Sequence, residues 1–271
     1  MNHVIPRRAS DWQREHIDRL WTYWGSQPHH LRRYFTYQVG PGLVAFLKWT
    51  GRLRGRVLDY GCGPGFLLEY LLDEPVECCG LDASAEAIRT VEQKFAGRAN
   101  WRGIVQADTP PVPYEDASFD VVTCLETLEH LPQELLAPVV GEVKRLLKPG
   151  GMAMFTTPFD EDLTQNMVYC PFCQSEFHSV QHLRSFDAAS MRELLESQGL
   201  RVVFCRDLNF REFQRDTLPR WRDLSPRLAW RVLRSAANRA MDRLAPRPFP
   251  QTRAFSERLV PGPHLCAIAV R

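Results

Sequence analysis

The stretch Val57-Leu58-Asp59-Tyr60-Gly61-Cys62-Gly63-Pro64-Gly65-Phe66-Leu67-Leu68 decides how this chain of 271 residues is read. An apolar strand runs into a turn with glycine at every second position, and a helix starts near Phe66. Alternating glycines admit backbone conformations closed to other residues and leave no Cβ between chain and ligand. The helix N-terminus just beyond offers unpaired N–H groups and the positive end of a dipole. Such a turn predicts a ligand held through the backbone at the carboxyl edge of an open α/β sheet.

Outward from the turn, short β-branched strands alternate with helices. A strand over 56–60 leads to a helix over 66–72, and a strand over 77–81 ends in Asp82 before a helix over 85–95. A strand over 101–106 ends in Ala107-Asp108, and one over 119–124 runs into Leu125-Glu126-Thr127-Leu128-Glu129-His130. A helix over 133–147 stops at Lys148-Pro149-Gly150-Gly151, a strong terminator, and a strand over 152–157 follows. A helix over 187–199, capped by Ser185 or Asp187, then a strand over 200–206 and a last strand over 264–270 complete the pattern. This alternation predicts a doubly wound, mostly parallel α/β sheet.

The spacing of the glycines bears on the ligand. A dinucleotide fingerprint is G-x-G-x-x-G, its third glycine admitting close helix packing around a pyrophosphate. Here that position is Phe66, which argues against a pyrophosphate. Asp82, at the end of the second strand, stands where a carboxylate takes both hydroxyls of a ribose, or alternatively caps the next helix. Asp108 ends the third strand, where a carboxylate accepts from an adenine amino group, and Asp59 precedes the turn itself.

Val57–Gly65, Leu81-Asp82, Ala107-Asp108, Phe119-Asp120-Val121-Val122 and Leu146–Gly151 resemble, in order and spacing, the successive motifs of class I S-adenosylmethionine-dependent methyltransferases. The resemblance runs from about Arg56 to Leu208. It implies a seven-stranded Rossmann-like sheet, its last strand antiparallel. By that resemblance the Gly61-Cys62-Gly63-Pro64-Gly65 turn holds the methionine part, Asp82 the ribose and Asp108 the adenine. Ala107 and Thr109 would flank the base, and Asp59, Ala83 and Leu125 complete the cofactor set.

Two constellations suit metals. Cys170-Pro171-Phe172-Cys173 with His178 and His182 has the spacing C-x2-C-x4-H-x3-H, and thiolate with imidazole suits a structural tetrahedral zinc. The alternative is a pair of unliganded thiols in a loop. The second constellation is Glu126-x-x-Glu129-His130, with His182 later in the chain. It resembles the ubiquinone-biosynthesis O-methyltransferases and the small-RNA 2′-O-methyltransferases, where E-x-x-E-H and a later histidine hold a divalent ion. That resemblance implies magnesium or manganese at Glu126, Glu129 and His130, with Glu129 and His130 as catalytic candidates. Without a metal, Glu129 and His130 would instead orient the loop and shape the pocket. His182 cannot serve both ions.

Composition sets the outer bounds. Hydrophobic residues at 44% and charged residues at 24% are those of an ordinary globular protein, and a net charge of +2 gives no global field for nucleic acid. No apolar run reaches the length of a membrane span, and no signal-peptide segment opens the chain. Of the eight cysteines, most lie in apolar runs, which reads as a reduced, cytoplasmic protein. Residues 1–50 form an aromatic-rich helical cap, with helices over 11–24 and 42–50 and a Ser10 or Asp11 cap. Its aromatics either cover a sheet edge or close as a lid over cofactor and acceptor. Residues 51–271 form the methyltransferase domain, carrying the zinc knuckle at 168–184 and a basic insertion at 207–259. The insertion's amphipathic helix, 226–244, docks on the domain or contacts a membrane surface or acidic partner. The expected activity is methyl transfer to a small or lipid-like acceptor on oxygen. The alternatives are a non-catalytic scaffold that binds S-adenosylmethionine, an RNA methyltransferase, and a nicotinamide-dependent dehydrogenase.

Overall fold

A computed structural model describes residues 14–172, 174–216 and 259–271. The first strand, β1 (Arg56–Tyr60), sits at the centre of the sheet because Val57 and Leu58 are fully buried, one on each face. It pairs in parallel with β2 (Glu77–Asp82) on one side and β4 (Phe119–Leu125) on the other. Outside β2 lies β3 (Trp101–Gln106), and outside β4 lies β5 (Leu147–Pro158), both parallel. The last strand, β9 (His264–Val270), inserts antiparallel between β5 and β8 (Arg201–Leu208). The resulting order is β3-β2-β1-β4-β5-β9-β8, seven strands with one reversed, as the family resemblance implies.

Helices cover both faces. On one, α3 (Phe35–Trp49) and α4 (Phe66–Leu71) bury Leu43, Phe46, Leu47, Leu67 and Leu68 against Val57 and Met154. On the other, α6 (Gln133–Leu146) and α7 (Ala188–Ser197) bury Val140, Val143, Met191 and Leu195 against Leu58, Val122 and Phe155. Helix α5 (Ala85–Phe95) packs beside β2 and β3 and is opened by Ser84, whose Oγ accepts from the Ala87 N–H. Asp187 opens α7 in a reciprocal capping box with Ser190.

The N-terminal segment departs from the expected boundaries. It folds as α1 (Arg14–Ser26), the single turn α2 (Pro28–Leu31) and α3, which begins seven residues before the expected start at 42. Residues 10 and 11, the expected caps, lie outside the described residues. Gly40-Pro41-Gly42 reads as a helix boundary but is helix interior. Tertiary packing overrides propensity there: a Cβ on Gly42 would stand 2.2 Å from the Phe210 carbonyl oxygen, so only glycine lets this helix approach the 3-10 turn Phe210–Asp216. Gly42→Ala is expected to lower unfolding stability by about 1–3 kcal/mol through overpacking, despite alanine's better helix propensity. Urea denaturation checks this, and unchanged stability would contradict the packing account.

Of the four expected zinc ligands, Cys170, His178 and His182 lie among the described residues. Residues Met167–Tyr169 (β6) and Glu176–His178 (β7) pair antiparallel, with Met167 opposite His178 and Tyr169 opposite Glu176. Cys170, whose N–H donates to the Ser175 carbonyl, therefore sits near the hairpin tip and His178 at its base, three residues further along at roughly 3.3 Å per residue. Among the described residues, Glu161 rather than Cys170 groups with His178 and His182. Cys173 lies outside the described residues, as does the helix expected over 226–244. Among the described residues no helix is long and apolar enough to cross a membrane.

Candidate active site

The glycine turn is fixed by β2. The Gly61 and Cys62 N–H groups both donate to the Leu81 carbonyl, at 2.8 and 3.0 Å. Gly61, Gly63 and Gly65 hold φ of +77°, +50° and +74°, the left-handed region that excludes most side chains. At the end of β2, Asp82 accepts from the Gly63 N–H at 2.7 Å and from the Ser84 N–H at 2.8 Å. The carboxylate thus bridges the glycine turn and the start of α5, while Ser84 supplies that helix's side-chain cap. Asp59, buried beneath the turn, accepts from Thr123 Oγ1 at 2.8 Å. Burial pushes the Asp59 carboxyl up to about 7.

A cavity of about 830 Å3 opens over this turn at the carboxyl edge of the sheet. Of the residues expected at the cofactor, Asp59, Gly61, Cys62, Gly63, Asp82, Ala83, Ala107, Asp108 and Leu125 line it. Gly65 and Thr109 do not. Gly65 starts α4, and a Cβ there would meet Val91 and Phe95 of α5 at 2.9 and 3.0 Å, so it serves helix packing. Thr109 Oγ1 turns back to Asp108 Oδ1 at 3.3 Å. The N-terminal helices close the other wall, where Trp21, Trp24, Tyr34 and Phe35 line the cavity. The rings of Trp21 and His130 meet edge to face at 4.8 Å. Burial, with Asp82 adding to it, raises the Tyr34 hydroxyl above its ordinary value.

Beyond β4 the chain makes the 3-10 turn Leu128–His130, which buries Glu129 and His130. Residues 181–184 are laced to this turn. Leu183 N–H donates to the Glu129 carbonyl at 2.9 Å, and Arg184 donates to the carbonyls of Leu128 and Leu131. His130 Nδ1 lies 3.1 Å from the Gln181 carbonyl. A carbonyl only accepts, so Nδ1 carries the proton and Nε2 carries the lone pair. Burial first, and His182 next, lower the His130 imidazole to about 3, so it is neutral. Its Nε2 stands 3.8 Å from Glu129 Oε1, beyond a hydrogen bond. Both Glu129 carboxyl oxygens are buried with no hydrogen-bond partner among the described residues. Burial, then the neighbouring Glu126 and Glu161, raise that carboxyl well above the usual carboxylate range.

Glu129, His130 and His182 each offer a ligand atom within 4.8 Å of the others. Glu126, expected as a third member beside Glu129 and His130, falls outside this group. Its positive φ of 46° turns the chain, and Oε2 lies 3.5 Å from His264 Nδ1 on β9. His182, the later histidine of that constellation, is in the group. His130, His182 and Glu126 line the same cavity as the glycine turn, and Glu129 lies buried behind them. Sequence reasoning missed Glu161, Gln181 and His264. Glu161 falls in a loop without a motif, Gln181 is a spacer position of H-x3-H acting through its backbone carbonyl, and His264 opens a strand that pairs far from its sequence neighbours.

A family model described as a methyltransferase domain matches residues 28–204, more than half of the chain. The chain belongs to the class I S-adenosylmethionine-dependent methyltransferases. The ubiquinone biosynthesis O-methyltransferase of Paraburkholderia phymatum is 40% identical to this methyltransferase over 125 residues, covering 45% of this chain and 52% of that one. A probable S-adenosylmethionine-dependent methyltransferase of Mycolicibacterium smegmatis is 30% identical over 160 residues, covering 59% and 57%. The chain spans about half the length of the curated relatives it matches. Among solved structures, the Burkholderia thailandensis 1,6-didemethyltoxoflavin-N1-methyltransferase, with bound S-adenosylhomocysteine, superposes with a TM-score of 0.58 at 15% identity, covering 95% of this chain and 89% of that one. The Haloferax volcanii putative methyltransferase in complex with its Trm112 activator gives 0.59 at 18%, covering 92% and 96%. At these identities the structures speak for the fold.

The site of this methyltransferase fits its cofactor. A turn of left-handed glycines and two strand-end carboxylates, Asp82 and Asp108, face one cavity. At about 830 Å3 that cavity lies within the roughly 300–1,000 Å3 of ligand pockets, toward the upper end. S-adenosylmethionine supplies an electrophilic methyl group on a sulfonium. The protein's own task is to place an acceptor in line with it.

Proposed function

We propose that this methyltransferase acts on a hydroxyl of a small or lipid-like acceptor carrying a flat or apolar body. We further propose that Glu129, His130 and His182 hold a divalent ion beside that hydroxyl. The carrying observation is a buried carboxyl with both oxygens unpartnered among the described residues, facing two histidines at the wall of the cofactor cavity. An uncompensated buried carboxylate costs several kcal/mol, and a cation among these three groups would remove that cost. Two imidazoles and one carboxylate suit a first-row transition ion, manganese or zinc, better than magnesium. Such an ion polarises a bound hydroxyl and lowers its pKa. His130 is held neutral by burial, with its Nε2 lone pair available, as a ligand requires. The resemblance to O-methyltransferases around Glu126–His130 and the ubiquinone biosynthesis relatives point to an oxygen acceptor.

The aromatic wall of Trp21, Trp24 and Tyr34 is the surface on which such an acceptor would lie. Trp21→Ala is expected to raise the acceptor KM about tenfold and leave the S-adenosylmethionine Kd within twofold. A change confined to cofactor affinity would place Trp21 at the other ligand. The acceptor class is tested by S-adenosylhomocysteine release with quinol, phenol, lipid, amine and RNA pools. Release with hydroxylated aromatic or lipid pools, and methyl ether products by mass spectrometry, is expected. N- or C-methyl products would contradict the proposal.

A further inference from the structure

His182 belongs to two overlapping groups, one with Glu129 and His130 and one with Glu161 and His178. Taken as bare clusters, either could hold an ion. Hydrogen bonding separates them. The His182 backbone N–H donates to His178 Nδ1 at 3.1 Å, so that nitrogen is an acceptor and carries no proton. In a neutral imidazole the proton then sits on Nε2. The His178 ring is 1% exposed. A protonated Nε2 has no lone pair to give a metal. It lies 3.5 Å from Glu161 Oε1, longer than a hydrogen bond, with no other partner among the described residues.

His182 is arranged the opposite way. Its Nδ1 is in hydrogen-bond contact with Glu161 Oε2, and a carboxylate oxygen only accepts. Nδ1 therefore holds the proton, and the nitrogen left for the group with Glu129 and His130 is Nε2. The two candidate ligand histidines are thus prepared alike, Nδ1–H anchored on an oxygen and Nε2 bearing the lone pair. His130 uses the Gln181 carbonyl, and His182 uses the Glu161 carboxylate. Metal-binding histidines are commonly held through their second nitrogen in this way.

We propose that Glu161 is a positioning residue: it fixes His182 as the Nδ1–H tautomer, so that its Nε2 lone pair faces Glu129 and His130, while His178 binds no ion. The role assigned to that lone pair rests on the divalent-ion reading above; the tautomer does not.

Nitrogen-15 NMR of the imidazoles in the full chain, before and after one equivalent of zinc, tests it. The expected result is a protonated Nδ1 and unprotonated Nε2 for His182 and His130, and the reverse for His178. Zinc should shift the Nε2 signals of His182 and His130 only. His182 found with a protonated Nε2, or a zinc shift at His178, would overturn the proposal. If zinc moves none of the three while the tautomers stand, the metal reading fails and the positioning role survives. In Glu161→Ala, His182 should lose its fixed tautomer, and zinc affinity by calorimetry should fall about 10–100-fold. The S-adenosylmethionine Kd should stay within twofold, and Glu161→Asp should recover part of the zinc affinity. Zinc affinity in Glu161→Ala equal to that of the unaltered chain would also overturn the assignment.

Discussion

Glu129→Gln is expected to lower turnover by about 10²–10³, some 3–4 kcal/mol of transition-state stabilisation, while S-adenosylmethionine binds as before. The carboxyl is 1% exposed and both oxygens lack hydrogen-bond partners among the described residues, so it contributes nothing visible to holding the loop. The loop is held instead by the Glu129 backbone carbonyl, which accepts from Leu183, and by Arg184 on the flanking carbonyls. Neutralising the side chain therefore removes a ligand without removing a structural bond. The amide is nearly isosteric with a carboxyl that burial already pushes toward its neutral form, so thermal stability should hold. The check is kcat and KM for the acceptor beside cofactor Kd and melting temperature. Turnover near that of the unaltered chain would mean that Glu129 is inert in the reaction.

Asp82→Ala should weaken S-adenosylmethionine binding by about 1–3 kcal/mol, roughly 5- to 150-fold in Kd, from the loss of a charge-assisted pairing. Two effects contribute. The carboxylate is the strand-end group that faces the cavity, and it also ties Gly63 and Ser84 together. Losing the tether frees a turn whose glycines are already costly to order. Asp82→Asn separates the two, since the amide oxygen still accepts one backbone N–H but carries no charge. Calorimetry giving unchanged affinity for Asp82→Ala would remove Asp82 from the ribose position.

The sheet was legible in the sequence because each parallel strand is a short apolar run between punctuating residues, and the acids closing β2 and β3 mark the carboxyl edge. The antiparallel insertion of β9 came only with the family resemblance, since no local pattern states which strands it joins. Sequence spacing does not state geometry across turns. In C-x2-C-x4-H-x3-H, the β6–β7 hairpin puts Cys170 near its tip and His178 at its base. Of E-x-x-E-H with its later histidine, Glu129, His130 and His182 come together, while Glu126 Oε2 lies 3.5 Å from His264 Nδ1 on β9, a strand distant in sequence. Glu161 had no signal, being one acid among several in the loop after β5. Its role depends on which nitrogen of His182 it meets. The helix α3 was misplaced because Gly42 is required by a close approach to Phe210, which propensity does not register.

The central claim is that a divalent ion held by Glu129, His130 and His182 assists the acceptor. Chelator-stripped protein, assayed for S-adenosylhomocysteine release with hydroxylated acceptor pools and then restored with measured manganese or zinc, tests it directly. The account predicts one ion bound per chain, activity lost on stripping and recovered on its return, and cofactor affinity unchanged throughout. Full turnover in excess EDTA, with no ion bound, would contradict it.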